Sequence, residues 1–100
     1  MIVIAGYLTI APDQHEAALD AVRPCVELTR AEDGNLDYCF SFDANTADRL
    51  NVFERWESEE AMNAHMATAH LAEMMAAIGP CIGGAVSLVR YDVSGTSTIF

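Results

Sequence analysis

The residues best suited to chemistry cluster between Asn51 and Met75, where the single tryptophan, Trp56, is followed by His65 and His70. A period-2 run places Val52, Glu54 and Trp56 on one side and Phe53 and Arg55 on the other, then gives way at Ser58 to helical periodicity. Ser58 is a natural N-cap, and Glu59 and Glu60 place negative charge where the first turn favours it. From there Ala61, Met62, His65, Met66 and Ala69 share one stripe, so the imidazole of His65 looks inward. Such a group is either a core histidine hydrogen-bonded to a carbonyl or carboxylate, or a general base facing a pocket.

His65 and His70 are five apart, which on an unbroken helix leaves them about 140° out of phase. They face one pocket only if the helix is interrupted near Ala67 to Ala69, with Thr68 capping the next turn. The spacing is not the four-residue one that stacks two ligands, and no cysteine or carboxylate stands at ligand spacing, so no metal is expected.

The elements that position this stretch follow from patterning. Ile2 to Ile10 is β-branched and apolar on both faces apart from Tyr7 and Thr9, as in a central strand covered on both sides. Pro12 ends it, and Asp13 with Glu16 resembles a capping box opening a helix. The stripe of that helix is Ala18, Leu19, Val22, Cys25, Val26 and Thr29, with Pro24 expected to kink it. His15 lies outside the stripe and reads as a solvated surface residue. Gly34 is placed to end the helix in a left-handed conformation.

Leu36, Tyr38, Phe40 and Phe42 alternate with polar or small residues in a second strand, and the turn-rich Asp43 to Arg49 returns the chain as a hairpin. From His70 a second helical segment places Leu71, Met74, Met75 and Ile78 on one face and stops at Gly79-Pro80. A last strand runs from Ala85 to Asp92 and carries Arg90. Residues 93–100 form a polar tail ending in Ile99-Phe100, either frayed or docked on a partner subunit.

This order predicts an α+β fold, a ferredoxin-like βαββαβ domain over residues 1–92 with helices on one face of an antiparallel sheet. One hundred residues are few for both a large core and a private pocket, so the bare sheet face is expected to pack on a second copy in a homodimer. A net charge of −10 argues against nucleic acid or an anionic membrane as partner. All five cations are arginine, which excludes a lysine Schiff base or lysine general base. Cys25, Cys39 and Cys81 show neither a disulfide framework nor a zinc ribbon, consistent with a reduced, cytoplasmic setting. No apolar run approaches the roughly 20 residues of a membrane helix.

From Phe53 to His70 the sequence resembles the antibiotic biosynthesis monooxygenase family, dimeric α/β-barrel proteins that include small bacterial quinol monooxygenases. The tryptophan, the acidic-serine turn and the H-x-x-x-x-H spacing carry the likeness, although Ala69 stands where the family usually has proline. Thr29 to Tyr38 is similar to the family segment closing the first helix, and the resemblance extends to Asp92. It implies cofactor-independent oxidation of a small hydroquinone or polycyclic phenol by O2, with no metal. In that reading His65 is the base, Trp56 a flat wall with an N–H donor, and Tyr7, Tyr38, Phe40, Met62, Met66, His70 and Arg90 line or orient the substrate.

Among relatives, haem-degrading members place other residues where this chain has Tyr7, His65 and Met75. Polyketide hydroquinone oxidases share Trp56 but not the residues at Val52 and Met62. Members that isomerise or degrade a phosphorylated quorum-sensing sugar derivative share the segment Glu32-Asp33-Gly34-Asn35-Leu36 and the histidine pair, and define an alternative. There the histidines would shuttle a proton while Arg55 and Arg90 met the phosphate. A non-catalytic dimeric ligand-binding module is a third reading.

Overall fold

The computed structural model describes residues 1–100, in which β1 (Ile2–Ile10), α1 (His15–Arg30), β2 (Asn35–Phe42), β3 (Arg49–Trp56), α2 (Glu59–Met66), α3 (Ala69–Ile78) and β4 (Ile82–Asp92) follow in order. The four strands form one antiparallel sheet in the order β2-β3-β1-β4, so β1 is central as its apolar composition requires. The helices cover one face. This is the expected ferredoxin-like βαββαβ arrangement. No helix is long and apolar enough to cross a membrane.

Strand parity decides what enters the core. Ile2, Leu8 and Ile10 of β1 and Leu50, Val52 and Trp56 of β3 are buried beneath the helices, joined by Ala18, Val22 and Cys25 of α1. Glu54 shares their face because it lies two residues from both Val52 and Trp56. Tyr7 has the opposite parity and lies on the outer face, with the Arg49 guanidinium 4.0 Å above its ring.

The break between α2 and α3 falls at Ala67 and Thr68, as the sequence predicts. Ser58 Oγ accepts from the Ala61 amide at 3.1 Å, and Thr68 Oγ1 accepts from the Leu71 amide at 3.3 Å while donating to the His65 carbonyl at 2.7 Å. Thr68 therefore satisfies the end of one helix and the start of the next. Replacing it with alanine is expected to cost about 1 kcal/mol, and Thr68→Ser to cost little, because the hydroxyl carries the cap. Thermal unfolding followed by circular dichroism checks both.

Several local expectations are corrected. α1 starts without a side-chain cap: Gln14 occupies the N-cap position, so Asp13 and Glu16 form no capping box. The helix continues through Pro24 to Arg30. Gly34 does adopt a left-handed φ of 82°, but in the turn beyond the helix, where a Cβ would approach that of Ala61 to 2.5 Å. The glycine thus lets the loop carrying Glu32 lie against α2. His15 is not merely solvated, since its Nε2 lies 2.7 Å from Asp48 Oδ1 and its ring stacks on Phe42 at 4.3 Å. β4 begins at Ile82, three residues earlier than expected, and includes both glycines. A Cβ on Gly83 would meet the Ala11 backbone at 2.8 Å, so glycine here permits close strand approach. Residues beyond Asp92 form no helix or strand, and Ile99 and Phe100 are exposed in the single chain.

Candidate active site

The helix break turns both histidines toward one carboxylate. His65 Nδ1 and His70 Nε2 each lie 2.8 Å from Glu32 Oε2, although the three residues come from α2, α3 and the loop after α1. Burial raises the pKa of Glu32, but hydrogen bonds from the two imidazoles and their charge outweigh it and hold the carboxyl below the ordinary glutamate range. An ionised carboxylate can only accept, so Nδ1 of His65 and Nε2 of His70 carry the protons. In neutral His65 that leaves the lone pair on Nε2.

His65 is 1% exposed and packed between aromatic rings, 4.7 Å from the Trp56 ring centre and 5.2 Å from that of Tyr38. Its Nε2 has no protein partner, yet no fully buried side-chain nitrogen or oxygen lacks a hydrogen bond. That nitrogen therefore keeps a small opening. His65 also lines a cavity of about 450 Å³ between α2–α3 and the sheet, bounded by 16 residues of which 13 are hydrophobic. This lies within the range of small-molecule sites, about 300–1,000 Å³. Tyr38, Phe40, Val52, Leu71, Met74 and Ile78 form much of its apolar wall, and its polar lining residues are His65, Glu54 and Arg90.

Glu54 is the functional candidate that sequence reasoning passed over. It is 8% exposed, lines the cavity, and its Oε1 accepts from the Trp56 indole N–H at 2.9 Å. Burial pushes its pKa up, and the indole hydrogen bond and the nearby His65 offset only part of that rise. A signal was present: Glu54 is an acidic residue in the inward register of an otherwise apolar strand face. Glu32 carried no such signal, because it sits in a loop without periodicity.

The structure separates the other sequence-derived candidates. Tyr38, Phe40, Met66 and Arg90 line the cavity with His65. Trp56 does not: it is fully buried behind His65 and its N–H is engaged by Glu54, so it is a support rather than a wall. Met62 is packed into the core outside the cavity lining. Tyr7 lies on the opposite sheet face and does not line this cavity. His70 lies on the Glu32 side of His65 and reaches the cavity only through that carboxylate and ring. Burial, together with the Cys25 thiol 3.7 Å from its hydroxyl, raises the Tyr38 pKa, which keeps the phenol a donor. Glu32 also supplies the carboxylate whose absence at ligand spacing argued against a metal.

Fold and site together define a small α+β domain with a histidine-bearing apolar cavity, and comparison with known proteins gives it a family. The family model for antibiotic biosynthesis monooxygenases matches residues 1–77, and the chain belongs to that family. It is 29% identical over 94 residues to YcnE of Bacillus subtilis (strain 168), a protein provisionally named a monooxygenase, covering 94% of this chain and 99% of that one. Among solved structures, a Deinococcus radiodurans protein provisionally named an antibiotic biosynthesis monooxygenase aligns with a TM-score of 0.89 at 21% identity, covering 100% of this chain and 99% of the other. Rv0793 of Mycobacterium tuberculosis aligns with a TM-score of 0.87 at 23% identity, covering 97% and 98%.

Proposed function

We propose that this chain is a cofactor-independent monooxygenase that oxidises a small hydroquinone or polycyclic phenol with O2. The observation carrying this reading is that His65 lines the cavity with its Nδ1 backed by the Glu32 carboxylate and no protein partner on Nε2. A phenol hydroxyl in the cavity gives its proton to Nε2, and Glu32 holds the ring orientation and stabilises the imidazolium that forms. The phenolate is electron-rich and reduces O2 by stepwise electron transfer followed by radical recombination. One oxygen atom enters the ring, the other leaves as water, and the substrate supplies all four electrons, so a hydroquinone yields a hydroxyquinone. The apolar wall suits both an aromatic ring and O2.

The paired state of the arginines favours this reading over an isomerase acting on a sugar phosphate. Arg55 lies on the outer sheet face bonded to Asp37, and Arg90 is held by Asp92 and Glu59 at 2.9 and 3.0 Å. Arg55 is thus turned away from the cavity, and Arg90, the one arginine lining it, already faces two carboxylates that would compete with a phosphate. Oxygen-electrode assays over a panel of hydroquinones test the proposal. Uptake of one O2 per substrate with appearance of a hydroxylated quinone supports it; turnover of a sugar phosphate without oxygen uptake, or no turnover in either assay, overturns it.

The reading includes a homodimer. Phe53, Val89 and Tyr91 are exposed on the sheet face opposite the helices, where a second copy would cover them. Light scattering is expected to give twice the chain mass of 10.8 kDa. A monomer at micromolar concentration contradicts this part.

A further inference from the structure

Glu32, His65 and His70 have a second capability that the proposed oxidation does not use. Their donor atoms, one carboxylate oxygen and two imidazole nitrogens, lie within 4.8 Å of one another. Imidazole and carboxylate ligands are the donor set of three-ligand zinc sites, at about 2.0–2.2 Å from the ion. A tetrahedral ion at such distances places its ligands roughly 3.4 Å apart, so the two 2.8 Å contacts need to open by only a fraction of an ångström. The side chains of Glu32 and His70 are 15% and 18% exposed, which gives an ion an entry path that avoids the cavity. Three elements converge on this point, and only because the helix breaks at Thr68.

We propose that Glu32, His65 and His70 form a binding site for a divalent transition-metal ion, with zinc as the best-matched species. The ion takes Oε2 of Glu32, Nδ1 of His65 and Nε2 of His70, and leaves a fourth position for water. The site is distinct from the cavity, because His65 is the only one of the three residues that lines it. Coordination moves the proton of each neutral ring to its other nitrogen. On His65 the proton arrives at Nε2, the nitrogen that would accept the phenol proton. Where His65 is the base for phenol oxidation, as proposed above, a bound ion therefore converts it from acceptor to donor and stops proton abstraction.

The test is a titration of the chelator-treated full chain with Zn2+ by calorimetry, and with Co2+ by visible absorption. One ion per chain is expected, with affinity reduced about tenfold or more in both Glu32→Gln and His70→Ala and unchanged in His15→Ala. Nitrogen-15 spectra of the imidazoles in the unmodified chain give a readout that no substitution can disturb: zinc is expected to shift Nδ1 of His65 and Nε2 of His70 and to leave the His15 ring alone. Equal affinity in all variants, or no shift at those two nitrogens, overturns the site. Activity is read separately. Zinc that binds as described and suppresses oxygen uptake supports the coupling, whereas zinc that binds and leaves the rate unchanged overturns the role of His65 as base and leaves the metal site standing.

Discussion

Replacing His65 with alanine is expected to lower kcat for hydroquinone oxidation by about 10²–10⁴-fold, the usual contribution of a positioned base. KM is expected to change far less, since the cavity wall is mostly apolar and His65 is one of 16 lining residues. Glu32→Gln divides the effect further. The amide keeps a hydrogen-bond acceptor for Nδ1 but loses the charge that stabilises the imidazolium, so an intermediate loss of kcat is expected. Equal kcat in wild type and His65→Ala, with circular dichroism showing both folded, would falsify the base assignment.

The second large effect concerns stability and comes from Glu54 and Trp56. Trp56→Phe keeps a buried aromatic ring but removes the N–H that Glu54 accepts from, leaving a buried carboxylate without its donor. Leaving a buried acceptor without its hydrogen-bond donor costs about 1–3 kcal/mol. In a chain of this size each kcal/mol corresponds to roughly 4–8 °C in Tm, so the variant should melt well below the parent. Glu54→Gln is expected to do the reverse at neutral pH, because it keeps a carbonyl oxygen for the indole and removes the buried charge.

The pH dependence has a definite sign. Burial raises the pKa of Glu54 in the folded state, so the unfolded chain releases this proton first. The resulting penalty on folding is absent below the ordinary glutamate range, about pH 4.3, and grows as pH rises toward the folded value. The Tm advantage of Glu54→Gln should therefore be small in acid and reach its plateau once the pH exceeds that value. Glu32 works oppositely. The imidazoles hold its folded pKa down, so its contribution is present above the ordinary range and is lost as pH falls through the folded value. An advantage of Glu54→Gln that shrank on going from pH 4 to pH 8 would contradict the account of Glu54.

Much of this architecture is legible in the residue order, and the limits follow from what periodicity can report. Alternation in β3 places Trp56 and Val52 inward, helical spacing places His65 inward, and a capping threonine marks the interruption that brings His70 round. Each is a local property. Period-2 parity also puts Tyr7 on the far face, which the apolar character of β1 on both sides obscured. The donor–acceptor pairing of Trp56 with Glu54 needs side-chain geometry, because a residue on the inward face can still be sealed behind its neighbour. The meeting of Glu32 with the two histidines spans 33 and 38 positions in the chain and is fixed by how the loop after α1 lies on α2. No window of neighbouring residues contains it.

The sheet is open, and its two borders are unequal. β4 ends the strand order and runs for eleven residues, from Ile82 to Asp92, with its outer row of amides and carbonyls unmatched by any strand of the same chain. Val86, Leu88 and Val89 stand exposed along it. A long border of this kind recruits further strands, including those of unfolded neighbours. Recombinant yield should therefore depend on how soon that border is covered during synthesis.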